Sequence, residues 1–192
     1  MTVIIGTDEA GRGPLAGPVY AAAVALPPDF PVEILNDSKK MTKKARERTE
    51  SVIKEKALAW AVASVGPEEI DRINILNAAL KAMTISCEEV ADKLRTMGYE
   101  DFEVLADGNR MPPVSLPCRT VVKGDSKIHQ IMAASILAKT GRDRYMLEAA
   151  EKWPQYGFEK HKGYPVASHY RAIKEYGPCP IHRLTFKGVS QR

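Results

Sequence analysis

A chain of 192 residues with 44% hydrophobic and 27% charged side chains fits one compact domain with a modest appendage, able to bury a core without disulfides. Its apolar stretches are short or broken by charge, and the opening MTVIIGTDEAGRG carries acids where a signal peptide would keep its cleavage site, so neither a membrane span nor an export signal is expected. The net charge of +4 excludes a polycation, yet residues 1–150 hold 20 basic against 21 acidic side chains and residues 151–192 hold 8 against 3, a C-terminal excess that suits nucleic acid or, equally, a solubilising tail.

Val3 to Thr7 and Val19 to Leu26 read as adjacent strands joined by the glycine-rich GRGPLAG, a hairpin. A charged amphipathic helix follows, with Thr42 as its N-cap, and then the strand-like ALAWAVASV. Pro67, Glu68 and Glu69 open another helix, and Asn74 to Met97 carries Ile75, Ala79, Met83 and Cys87 at helical spacing, with Gly98 as its stop. Glu103 to Ala106 and Thr120 to Val122 are short strands running into the polar loops DGN and KGDSK. A helix with Ile128, Ile131, Met132, Ser135 and Ala138 on one side reaches about Ala150; WPQYGFEKHKGYP reads as a loop, and a last helix spans about Ala167 to Tyr176. This order predicts an α/β sheet of about five strands flanked by helices, with residues 1–150 as the core and 151–192 as a small basic helical and loop extension packed on it. Cys87, Cys118 and Cys179 lack paired metal-ligand spacing and read as free thiols of a reducing, cytoplasmic protein.

Asp8 and Glu9 sit where the first strand meets its glycine turn, and Asp107 and Asp125 sit just past two other strands. If those strands are neighbours, the acids converge on one rim of the sheet, where repulsion is costly unless cations lie between them. Oxygen ligands suit hard ions such as Mg²⁺ or Mn²⁺, and a pair of such ions could clamp a phosphodiester, so phosphoryl transfer is the implied chemistry. Each acid also has a plain reading: a polar turn for Asp8 and Glu9, an Asx-turn for Asp107 before Gly108 and Asn109, and a helix N-cap for Asp125. Consecutive strand residues point to opposite faces, so Asp8 and Glu9 share a site only if the strand bends near Gly11.

The string TDEAGRGPLAGPVYAAAV resembles the opening signature of the ribonuclease HII family, and NDSKKMT, LADGN, VVKGDSK, AASILAK, RDR, KHKGYP and PIHR follow in the family's order over nearly the whole chain. The resemblance implies the ribonuclease H-like fold, an active site and metal site of Asp8, Glu9, Asp107 and Asp125, and Mg²⁺ or Mn²⁺ as cofactor, with one ion activating water and a second stabilising the departing oxygen. It implies cleavage of RNA in RNA/DNA hybrids, or at a ribonucleotide embedded in duplex DNA, leaving a 3′-hydroxyl and a 5′-phosphate. Such an enzyme must sense a 2′-hydroxyl. By the same resemblance Gly11, Arg12 and Gly13 read the sugar and a neighbouring phosphate, Tyr164 packs at the RNA-to-DNA junction, and Lys39 meets a phosphate. The plain alternatives are a tight hairpin with a solvated arginine, a loop aromatic, and a solvated pair of Lys39 with Lys40.

Departures from the usual strings, Val166 with Ala167 and Thr140 with Gly141, touch none of the four acids; Gly141 costs about 1 kcal/mol inside a helix. Asp143 reads as a surface ion-pair partner of Lys139, and His129, His161, His169 and His182 as solvated or packed, with His161 and His182 conceivable phosphate contacts. Two other functions fit parts of the pattern: a catalytically idle nucleic-acid-binding module using the basic C-terminus, and an integrase-like DNA nuclease of the same fold. A monomer is expected.

Overall fold

In the computed structural model the described residues are 2–190; Met1 and residues 191 and 192, the end of the basic stretch, lie outside them. One five-stranded sheet organises the chain: β1 (Val3–Ala10), β2 (Val19–Ala25), β3 (Ala59–Val65), β4 (Phe102–Asp107) and β5 (Cys118–Val121), in the spatial order β3-β2-β1-β4-β5. β1, β2 and β3 pair antiparallel, whereas β4 and β5 add parallel strands beside β1. Among the described residues six α-helices accompany it: α1 (Lys43–Lys56), α2 (Pro67–Ile73), α3 (Ile75–Thr96), α4 (His129–Lys152), α5 (Phe158–His161) and α6 (Ala167–Tyr176). No helix among the described residues is long and apolar enough to cross a membrane.

Period-two alternation in β2 decides which helix covers which face. Ala23 and Ala25 join Cys87, Val90, Ala91 and Leu94 of α3, while Ala22 and Val24 join Ala133, Ala134, Ile136 and Leu137 of α4. Alanine through the middle of the sheet lets both helices lie close. Gly6 carries this furthest: a Cβ there would stand 2.3 Å from the Gln130 carbonyl carbon, so its absence allows the start of α4 to press onto β1. Thr42 caps α1 as expected, its hydroxyl accepting from the Ala45 amide at 3.2 Å.

The segment 153–165 departs from the expected plain loop. It forms a 3₁₀ turn at Pro154–Tyr156 and then α5, separated by Gly157 in the left-handed region at φ 71°. The physical reason is burial: Tyr156 and Phe158 stack at 5.3 Å and anchor a second small core with Met146, Ile173, Ile181 and Val189, into which Leu15 and Ala16 also pack. His169 and His182 lie fully inside this cluster rather than facing phosphate. Burial, and then the neighbouring His169, bring His182 down to about 4, and burial lowers His169 as well.

A pH dependence follows with a definite sign. Between the ordinary imidazole value of 6.5 and about 4 the unfolded chain binds more protons at His182 than the native state does. This contribution to stability is therefore complete above the window and is lost as pH falls through it. Urea melts from about pH 7 to about pH 4.5 should show stability declining, with a shallower decline in His182→Gln; equal slopes would remove the assignment.

Candidate active site

The register of β1 explains how its two acids are divided. Pairing with β2 runs without a bulge from Ile5↔Ala25 to Ala10↔Tyr20, so Asp8 opposite Ala22 shares the α4 face and Glu9 opposite Ala21 shares the α3 face. The strand does not bend to unite them. Asp107, the last residue of β4, turns to the α4 side, and Asp125 arrives on the 3₁₀ turn Gly124–Ser126 just before α4. One carboxylate oxygen from each of Asp8, Asp107 and Asp125 lies within 4.8 Å of the others. Glu9 stands outside that cluster and pairs with Arg12 at 3.2 Å, the two lining with Asp107 and Asn109 an adjoining cleft on the α3 side.

The plain readings of Asp107 and Asp125 do not match their contacts. Asp107 Oδ1 accepts from the amides of Gly124 (2.6 Å) and Asp125 (3.3 Å), which ties β4 to the loop after β5 instead of closing a local turn. Asp125 caps nothing, since the N-cap of α4 is Ile128, without a side-chain bond. Asp8 is 5% exposed, and burial, then Glu9 and Asp107, push its carboxyl well above its ordinary value, with the Ser135 hydroxyl and the Glu9 amide acting the other way. Lys39 reaches this cluster: its ammonium donates to Asp125 Oδ2 at 3.2 Å, and Ser38 next to it shares a 2.8 Å hydrogen bond with Ser135. Although partial burial opposes the charge, Asp125 holds the Lys39 ammonium above its ordinary value.

Three carboxylates with one lysine balance poorly where one of them, Asp8, is buried. A hard divalent cation would correct this, and the 4.8 Å within which the three oxygens lie is only somewhat more than the about 4 Å spanned by opposite ligands of one such ion. The donor set is all oxygen, with no thiol or imidazole among it.

Beside the carboxylates lies the turn of Gly11, Arg12 and Gly13, and Tyr164 stands against it: a Cβ on Gly13 would meet the Tyr164 ring at 3.6 Å. Two fully buried arginines that the sequence reading passed over hold this corner together. Arg183 donates to the carbonyls of Gly11 (2.6 Å), Arg12 (3.0 Å) and Gly17 (2.9 Å). Arg142 donates to those of Pro18 (3.3 Å), Ala16 (3.2 Å) and Lys162 (3.0 Å), and its guanidinium lies 5.7 Å from the centre of the Tyr164 ring. Burial and then the Arg142 charge bring Arg183 down to about 9, which leaves it cationic at neutral pH. The strings RDR and PIHR were the available signal, but an arginine in a polar string reads by default as solvated. Asp143 also proves largely buried, pairing with Arg46 at 3.2 Å as well as Lys139 at 2.6 Å.

Sheet order, rim acids and an all-oxygen donor set fit the class of nucleases with the ribonuclease H-like fold and suit a divalent metal. Comparison with known proteins agrees. The family model described as Ribonuclease HII matches residues 5–189. Ribonuclease HII of Idiomarina loihiensis is 52% identical over 189 residues, covering 98% of this chain and 97% of its own. Among solved structures, ribonuclease H2 from Pyrococcus horikoshii superposes with a TM-score of 0.72 at 25% identity, covering 98% of this chain and 95% of that one. Bst-RNase HIII in complex with Mn²⁺ shares the fold, with a TM-score of 0.75 at 18% identity, covering 98% of this chain and 68% of that one. The chain belongs to the ribonuclease HII family, and its activity is that of a ribonuclease H, a hydrolase acting on RNA.

Proposed function

We propose that this enzyme hydrolyses the RNA strand of RNA/DNA hybrids and nicks duplex DNA on the 5′ side of an embedded ribonucleotide, leaving a 3′-hydroxyl and a 5′-phosphate. The observation that carries the reading is the adjacency of two features: a cluster of Asp8, Asp107 and Asp125, and a backbone turn with Tyr164 against it. The first suits phosphodiester chemistry and the second suits inspection of a sugar.

In this reading Asp8, Glu9, Asp107 and Asp125 are the catalytic carboxylates and hold the metal. When bound, Mg²⁺ or Mn²⁺, in a pair, supplies an activated water and charge to offset the departing oxygen. The Mn²⁺ in the Bst-RNase HIII complex supports that choice of ion. Glu9 lies in the adjoining cleft that Asp107 also lines, near enough for its charge to act on Asp8, and from there it joins the site without a bend of β1 by exchanging Arg12 for a ligand role, which frees the Arg12 guanidinium for a substrate phosphate. Lys39, now on Asp125, is similarly released to a phosphate as the carboxylate is neutralised. Gly11 and Gly13 bring backbone close to the 2′-hydroxyl, and Tyr164 packs on the neighbouring sugar or base.

Residues 151–192 act as the basic extension of the core 1–150 and steer the duplex onto the site. The free thiols of Cys87, Cys118 and Cys179 support a reducing cytoplasm, and the protein acts as a monomer. A duplex of DNA carrying one ribonucleotide tests the reading. With Mn²⁺ a single nick at the 5′ side of the ribonucleotide is expected, and none with EDTA. Equal nicking of an all-DNA duplex would refute it in favour of an integrase-like nuclease.

A further inference from the structure

We propose that His182 and His169 are positioning residues for ribose recognition, forming a two-imidazole relay that fixes the backbone at Tyr164 and so the seat of its ring beside Gly13. The inference rests on the reading of Tyr164 as a residue that meets the substrate.

The hydrogen bonds assign a direction to the relay. The Cys179 amide donates to His182 Nδ1 at 2.9 Å, a shorter contact than the 3.3 Å from that nitrogen to the Cys179 carbonyl and the 3.1 Å to the Cys179 sulfur, so Nδ1 acts as the acceptor and carries no proton. A neutral His182 then bears its hydrogen on Nε2, which lies 3.0 Å from His169 Nε2. His169 Nε2 must therefore accept, leaving its hydrogen on Nδ1, 3.0 Å from the Tyr164 carbonyl. The Tyr164 carbonyl can only accept, so the same order follows from that end, and the chain of donors runs from the C-terminal segment to Tyr164. That carbonyl also accepts from the Val166 amide at 3.0 Å, so both its lone pairs are engaged.

Surrounding contacts make the relay stiff. His182 is held by the short bridge Ala16↔His182 and by the Arg183 amide donating to the Leu15 carbonyl at 2.8 Å. The His161 ring stacks on His169 at 4.5 Å, with its own Nδ1 accepting from the Gly163 amide. Phe158 meets His169 edge-on at 5.5 Å. Low proton affinity suits the role, because both rings stay neutral at physiological pH and the single direction of donation persists. An ordinary packed core would need none of this polarity, since apolar rings of similar size would fill the space.

The substitutions separate tethering from packing. At position 169, Asn places an amide donor near the site of Nδ1 and can keep the bond to Tyr164, whereas Gln places its amide near Nε2 and Leu has no donor. On duplex DNA with one ribonucleotide and Mn²⁺, His169→Leu and His169→Gln are expected to lower kcat/KM about tenfold, and His169→Asn by no more than about twofold, with all variants checked for a cooperative melt. In a Tyr164→Ala background, His169→Leu should add less than about twofold, because a tether without its ring has nothing to position. Long-range ¹H–¹⁵N spectra of the unmodified enzyme should show His182 protonated on Nε2 and His169 on Nδ1.

Tyr164→Ala at the wild-type rate would sink the reading of Tyr164 itself, and the relay with it. A slow Tyr164→Ala beside folded His169→Leu or His169→Gln at the wild-type rate would sink the relay alone, as would effects that multiply in the double variant. If His169→Leu fails to fold, the contrast between Asn and Gln and the tautomer spectra still decide, and a His169 protonated on Nε2 overturns the proposal.

Discussion

Asp8→Asn is expected to abolish metal-dependent nicking, by on the order of a thousandfold or more, and at the same time to raise the melting temperature of the metal-free protein. Both effects come from one carboxylate. It lies 5% exposed, with Asp107 and Glu9 as its charged neighbours, so its ionised form is unfavourable until a cation arrives. Because the native carboxyl titrates above its unfolded value of 3.8, the native state binds more protons than the unfolded chain between the two values. Stability from this source is present at low pH and lost as pH rises through the native value, so the advantage of Asn over Asp should grow with pH in EDTA. A gain of a few degrees is the scale, since 1 kcal/mol moves a domain of this size by about 2–4 °C. Thermal melts over a pH series rising from 3.8, with EDTA and with Mn²⁺, check the sign. Mn²⁺ should stabilise the wild type strongly and the variant little; a variant that melts lower in EDTA and still gains fully from Mn²⁺ would place the metal elsewhere.

The second large effect belongs to Gly11→Ala. Its φ of 95° lies in the left-handed region, and a Cβ there would stand 2.1 Å from Arg142 Nε and 2.3 Å from its Cδ. Arg142 cannot swing aside, because its guanidinium is tied to the carbonyls of Ala16, Pro18 and Lys162 in a fully buried position. Backbone strain and overpacking together should cost about 2–4 kcal/mol. The turn must shift to relieve the clash, and nicking at a single ribonucleotide should fall about a hundredfold, the scale of a misplacement of about 1 Å. Gly13→Ala is the control. It has no positive φ and meets only the Tyr164 ring at 3.6 Å, so its stability should stay within about 0.5 kcal/mol of the wild type. Denaturant melts compare the two, since Gly13 itself faces the substrate in the proposed reading; equal losses of stability at both positions would remove Arg142 as the cause.

The elements, their order and the two helix-covered faces were legible in the residues because apolar periodicity and caps are local properties of chain. Val3 to Thr7, Val19 to Leu26 and the long run from Asn74 announce themselves through spacing alone. Asp107 and Asp125 could likewise be placed at strand ends without knowledge of neighbours. Partition of the acids was not local. Which side of β1 receives Asp8 depends on its pairing with Ala22, and whether Glu9 joins it depends on a register that runs on without a bulge. The buried pair Arg142 and Arg183 was invisible for a similar reason: guanidinium groups read as solvated until carbonyls from residues more than a hundred positions away are found waiting for them. Chemistry of this chain was thus written in its carboxylates and glycines, which carry the same charge and freedom wherever they sit. The shape of its substrate-reading corner was set by burial and hydrogen bonding between distant segments, which no single stretch of sequence contains.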